Sequence, residues 1–164
     1  MSNESTQDLN QAFSQLPQDL LAQGTADFRV IVEGAPRPLH SVIRDEVYRI
    51  GREAVANALR HSAANTIEIA LVYGTHDLRL SVRDDGCGID PQILQSGREG
   101  HWGLSGMRER AGKIGAKLKV LSNVDNGTEV DLFVPGRIAF ESHSSGGVFE
   151  RLTKTFSRRN HSER

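Results

Sequence analysis

Residues 66–83 read Thr66-Ile67-Glu68-Ile69-Ala70-Leu71-Val72-Tyr73, then Gly74-Thr75-His76-Asp77, then Leu78-Arg79-Leu80-Ser81-Val82-Arg83. Each long run alternates apolar and other side chains, so each is a strand with one buried face, and the short connection pairs them as an antiparallel hairpin. Immediately upstream, Leu39, Val42, Ile43, Val47, Ile50, Ala54, Ala58 and Leu59 recur at the 3.6-residue period, which predicts a helix over Leu39 to about Ser62. Before it, Phe28-Arg29-Val30-Ile31-Val32-Glu33-Gly34 is β-branched and ends at Pro36 and Pro38, a strand followed by a turn. Downstream, Leu104, Met107, Ala111 and Ile114 predict a second amphipathic helix stopped by Gly115. Strands over Lys117–Ser122 and Thr128–Val134, joined by Asp125-Asn126-Gly127, form a second hairpin. The expected fold is therefore an α/β (α+β) two-layer sandwich: a mixed, largely antiparallel sheet of about five strands, covered on one face by helices.

The ends read differently. Over roughly residues 5 to 22, Leu9, Phe13, Leu16, Leu20 and Leu21 fall at near-helical spacing, with Pro17 expected to kink or divide the helix. Residues 1–24 are therefore read as a helical arm, 25–136 as the domain, and 137–164, rich in Ser and Gly and mildly basic, as a flexible tail. The 164 residues suit one domain, and a formal net charge of −1 with 25% charged residues disfavours a general nucleic-acid footprint. No apolar run approaches the ~20 residues of a membrane span, and the N-terminus lacks the features of a signal peptide. The expected location is cytoplasmic, with no membrane contact by this chain. Cys87 is the only cysteine, which excludes an intrachain disulfide and a multi-cysteine zinc site.

Three segments carry candidate chemistry. On the long helix Glu53, Asn57 and either Arg60 or His61 form one polar stripe; taken alone, such a stripe is also what the solvated face of any amphipathic helix looks like. Asp84-Asp85-Gly86-Cys87-Gly88-Ile89 closes the second strand of the hairpin and opens a glycine-rich loop. A carboxylate there suits an amino-group donor, and the glycines suit close approach of a flat ring. Gly100-His101-Trp102-Gly103-Leu104-Ser105-Gly106 runs into the second helix, whose free N-terminal amides suit phosphate oxygens. No Lys-Ser or Lys-Thr follows these glycines, so this is not a Walker loop. Cys87 is read as a small filler, His76 as a turn residue, and His101 as structural or lid-closing.

The order of these boxes, Glu53 with Asn57, then DxGxG at Asp84–Gly88, then GxxGL at Gly100–Leu104, then Gly127-Thr128, resembles the ATP-binding catalytic domain of bacterial sensor histidine kinases. That domain belongs to the superfamily that also holds gyrase-type ATPases and the Hsp90 chaperone. NALRHS at Asn57–Ser62 and GLSGMRERA at Gly103–Ala111 are similar to the nitrate-sensor-like subfamily. The resemblance spans roughly Phe28–Val134. It implies ATP and Mg²⁺ as cofactors, with Asn57 as the metal ligand and Glu53 as the catalytic residue that orients or deprotonates the attacking group. It further implies Arg60 and His61 near the phosphates, Asp84 accepting from the adenine amino group, and Gly86 and Gly88 beneath the base. Thr128 would support Asp84 or a water at the same adenine edge, Ile89 would open the ATP lid that runs to Trp102, and Gly103, Leu104 and Gly106 would form the phosphate-facing helix start. The implied partners are a histidine-bearing dimerisation domain and a response regulator. The phosphoacceptor is expected outside this chain, because only His76 precedes an acid and it lies in a hairpin turn; residues 1–24 would hold at most the end of the dimerisation segment. The chain then reads as an excised or truncated catalytic domain, with sensing elsewhere. Two other readings remain at this stage: an anti-sigma-type serine kinase or ATPase of the same superfamily, and a nucleotide-binding regulatory module without catalysis.

Overall fold

The computed structural model describes residues 4–20, 25–96 and 103–142. Helix α1 (Glu4–Leu20) leads to strand β1 (Asp27–Glu33), helix α2 (Ser41–His61) and the hairpin β2 (Thr66–Tyr73) and β3 (Asp77–Asp84). A short helix α3 (Pro91–Ser96), helix α4 (Leu104–Lys113), strands β4 (Lys117–Asn123) and β5 (Gly127–Pro135) and a single turn α5 (Gly136–Ala139) complete the described chain. The strands form one sheet in the order β1-β2-β3-β5-β4, with β1 parallel to β2 and every other neighbour antiparallel. A parallel pair needs a long crossover, and α2 supplies it. The mixed, mostly antiparallel sheet expected from the alternation is thus present.

Ile67, Ile69 and Leu71 of β2, Leu78, Leu80 and Val82 of β3, and Val130, Leu132 and Val134 of β5 are buried together against the helices. Ile43, Val47, Ile50 and Ala54 of α2 and Leu104, Met107 and Ala111 of α4 close the core from the other side. Helix α4 ends as expected at Gly115 (φ +70°). There the Ala116 N–H donates to the Ala111 carbonyl (2.9 Å) and the Gly115 N–H to the Gly112 carbonyl (3.2 Å), the paired bonds of a Schellman stop.

Four expectations are corrected. Helix α1 is not a projecting arm: Leu9, Phe13, Leu16 and Leu20 are buried in the same core, and the Tyr73 hydroxyl donates to Asn10 Oδ1 (3.0 Å). Pro17 does not divide it, because buried side chains on both sides of the ring hold the helix through to Leu20. The loop after Asp84 contains α3. Residues 137–140, assigned to the tail, pack instead: Phe140 is buried, pairs with Leu39 as an isolated bridge, and lies 3.8 Å beneath the Arg37 guanidinium. That bridge keeps Leu39 extended, so α2 starts at Ser41. The remainder of the expected tail, residues 143–164, lies outside the described residues.

Phe13 packs against the Gly51 position of α2 and makes a tilted contact with the Tyr48 ring, with centroids 5.6 Å apart and planes at 48°. Phe13→Ala is expected to cost about 3–5 kcal/mol, read as a lower urea midpoint at unchanged m-value. A loss below about 0.5 kcal/mol, the size of an ordinary surface substitution, would show that α1 is not part of the cooperative unit.

Candidate functional site

Asp84 is the last residue of β3 and occupies the inward-facing phase of the alternation that buries Leu78, Leu80 and Val82. The β3–β5 register, with Arg83 opposite Glu129, sets Asp84 beside Thr128. Both are buried, at 6% and 7% exposure. Burial pushes the Asp84 carboxyl above its ordinary value, and the adjacent Asp85 charge adds to this. The Gly86 and Thr128 N–H groups and the Ser62 hydroxyl pull it part of the way back. The Gly86 N–H donates to Asp84 Oδ1 at 2.9 Å. Asp85 behaves oppositely: it is exposed, and its Oδ1 accepts the Asn65 and Thr66 N–H groups at 2.8 and 2.9 Å, which lowers its pKa. One aspartate of the pair ties down the start of β2; the other is held, desolvated, at the sheet end.

The glycines of this loop are required by the protein itself. A Cβ on Gly86 would collide with Ser62 at the end of α2, and one on Gly88 (φ +74°) would collide with the Asn123 carbonyl at the end of β4. The absence of a side chain at both lets the loop press between α2 and the end of β4. Cys87, expected as a filler, is exposed. Ile89 is buried, and its N–H donates to Ser122 Oγ at 2.7 Å. Ser122 Oγ also meets the Gly127 carbonyl (3.2 Å) and Thr128 Oγ1 (2.9 Å).

Ser62 and Ser122 were not singled out from sequence. Ser122 had a signal: it continues the inward phase of Leu118 and Val120 in β4, a polar residue in an apolar slot, opposite Thr128. Ser62 follows α2 directly, is fully buried, and its hydroxyl donates to the Ala58 carbonyl.

The second cluster lies on α2. Asn57 is buried at 6% exposure and Glu53, one turn earlier, is half-buried. Arg60 and His61 occupy the exposed last turn. Gly103 (φ +57°) starts α4 directly against the Glu53 carboxylate, where a Cβ would overlap it. Leu104 is buried beneath, and Gly106 faces open space. Thus Asp84, Gly86 and Thr128 are brought together with Ser62 at one end of α2, and Glu53 and Gly103 meet farther back along it. Residues 97–102, which include Gly100, His101, Trp102 and the rest of the expected lid, lie outside the described residues. His76 is in the β2–β3 turn, its carbonyl accepting the Gly136 N–H at 2.7 Å.

The profile of the histidine kinase-, DNA gyrase B- and HSP90-like ATPase family matches residues 43–138. The sensor protein VraS of Staphylococcus epidermidis is 37% identical over 106 residues, 63% of this chain and 28% of that protein. VraS of Staphylococcus saprophyticus is 38% identical over 95 residues, 57% of this chain and 26% of that protein. The chain therefore spans less than a third of these relatives. Among solved structures, a blue-light activated histidine kinase of Erythrobacter litoralis superposes with a TM-score of 0.65 at 22% identity, over 77% of this chain and 41% of that one. The ATP-binding domain of PrrB from Mycobacterium tuberculosis gives 0.60 at 17% identity, over 79% and 92%. The chain belongs to the histidine kinase-, DNA gyrase B- and HSP90-like ATPase family. No described helix is long and apolar enough to cross a membrane.

Proposed function

We propose that this domain binds Mg²⁺-ATP between α2, the end of β3 and the start of α4. It then donates the γ-phosphoryl group to a histidine on a dimerisation segment outside the described residues, on the cytoplasmic side of a sensor that signals to a response regulator. The observation that carries this reading is the buried, desolvated Asp84 carboxylate beside Thr128, at the end of the helix that bears Glu53 and Asn57. A carboxylate kept from water accepts the adenine amino group with little competition, and Thr128 supports it. Gly86, Gly88 and Ile89 fix the loop that carries this edge.

The donor chemistry fits magnesium. The Asn57 carboxamide oxygen is a hard ligand, and the described residues hold no group of three or more His, Cys, Asp or Glu that could cage an ion alone. That is the donor set expected of a site in which substrate phosphates and water complete the coordination. When bound, magnesium neutralises charge on the phosphates. Glu53 orients the attacking imidazole and takes its proton. Arg60 and His61 offset charge on the transferring group, and Gly103, Leu104 and Gly106 present the amides of the α4 start to phosphate oxygens.

The chemical stability of the product tests the reaction class. Incubating the domain with radiolabelled ATP and a histidine-bearing dimerisation segment is expected to label the segment with phosphate that is lost in acid and retained in alkali. An acid-stable, hydroxyl-linked product would instead identify a serine kinase.

A further inference from the structure

Strand β1 is the edge of the sheet farthest from β4. The Asp27 N–H donates to the Asn65 carbonyl at 2.8 Å, and the parallel register with β2 runs unbroken from Asp27 to Glu33. Alternate residues of a strand direct their backbone groups to the same neighbour, so Asp27, Arg29, Ile31 and Glu33 are turned toward β2. The N–H and C=O groups of Phe28, Val30 and Val32 are turned the other way, where no strand lies among the described residues.

Such a row is a template for another strand, and native sheets blunt it with lysine, proline, a bulge or a covering element. β1 contains no lysine or proline, and its register with β2 has no bulge. Phe28 and Val30 pack partly against the core, but Ile31 and Val32, on opposite faces of the strand, remain 37% and 38% exposed.

We infer that β1 pairs antiparallel with β1 of a second copy of this chain, joining the two sheets edge to edge, with Arg29 and Glu33 setting the register. The charges of the strand are what point to a second copy. A two-fold axis normal to the sheet runs the two edges antiparallel and keeps both helical layers on one side. Facing residues must share a face and a hydrogen-bonding phase, which leaves three registers that keep most of β1 paired. Centred on Arg29, the two guanidinium groups meet; centred on Val30, Asp27 meets Glu33. Centred on Ile31, Arg29 of each copy faces Glu33 of the other, with the two Ile31 side chains between these pairs. Opposite charges directly across a ladder stabilise it and like charges destabilise it, so the third register is favoured. It also places Arg29 and Glu33 at the positions between hydrogen-bonded pairs, where side chains stand closest. Val30 and Val32 of the other copy then exchange both backbone hydrogen bonds, which satisfies the outward groups of both residues. This inference is independent of the nucleotide reading.

Sedimentation equilibrium of the full chain between about 1 μM and 1 mM, the span of weak to moderate affinities, tests it. The mass is expected to rise from 18.0 kDa to twice that value and stop, because each copy has one such edge to use. A mass that stays at one chain, or climbs past two, overturns the proposal. Glu33→Arg and Arg29→Glu each set like charges against each other at both ends of the contact, and each is expected to weaken self-association about tenfold or more. Mixed in equal amounts, these two variants present opposite charges at both ends and are expected to associate with each other as wild type does. Single variants that self-associate like wild type, or a mixture that does not associate, overturn the assigned register and with it the proposal. Val32→Pro removes an outward N–H without touching the β1–β2 ladder and is expected to abolish association with the thermal unfolding midpoint nearly unchanged. Association that survives Val32→Pro runs through another surface and also overturns the proposal.

Discussion

Asp84→Asn is expected to abolish measurable ATP binding while making the nucleotide-free domain more stable. The carboxylate accepts through both oxygens; the carboxamide keeps one acceptor and turns a donor toward the adenine amino group. Losing a charge-assisted bond and leaving donors opposed costs about 3 kcal/mol, roughly a hundredfold or more in affinity. The stability effect has the opposite sign. Burial raises the Asp84 pKa in the folded state, so its favourable contribution is complete below the ordinary aspartate value and is lost as pH rises through the raised value. At neutral pH the ionised side chain is a cost, which asparagine removes while Oδ1 still accepts the Gly86 N–H. Calorimetric titration gives the first effect. Thermal unfolding across the acid range gives the second, as a higher neutral-pH Tm and the loss of one component of the pH dependence. A variant that binds ATP like wild type, or that is less stable at neutral pH, removes Asp84 from the role assigned to it.

Glu53→Gln is expected to lower the rate of phosphoryl transfer by about 10²–10⁴-fold, the usual worth of a positioned general base, with ATP affinity retained. The amide keeps the shape that fits against Gly103 but cannot take a proton. Rapid-quench single-turnover assays at saturating ATP isolate this step from binding. A transfer rate within a few-fold of wild type would limit Glu53 to its packing contact with α4.

Several parts of the fold were legible because one period governed them. The alternation in β2 and β3 carries directly into their buried faces, and the 3.6-residue spacing of α2 into its packing. Where tertiary contacts outweighed local pattern, the reading from sequence stopped short. Pro17 is a local helix breaker, yet Leu9, Phe13, Leu16 and Leu20 belong to the common core and hold α1 through it. Phe140 sits in a polar, glycine-rich neighbourhood of sequence, and only its pairing with Leu39 makes it part of the fold. Helix α3 is six residues long, too short for a period to emerge.

The candidate site shows the same division. The residue types and order of Glu53, Asn57, Asp84 and Thr128 were readable, since each is polar at the edge of an apolar pattern. The steric fit of Gly86 and Gly88 was not, because it depends on Ser62 and Asn123, which are distant in sequence and come close only through the packing of α2 and the end of β4. Ser122 joins the same network from a strand whose register with Thr128 is set by the β4–β5 pairing.

The most direct test of the account is titration of the wild-type domain with a non-hydrolysable ATP analogue, in the presence and absence of Mg²⁺. One nucleotide bound per chain, more tightly with the metal, is the predicted result. No binding up to about 1 mM nucleotide, the upper end of ordinary substrate affinities, would contradict the assignment of an ATP site between α2, the end of β3 and α4.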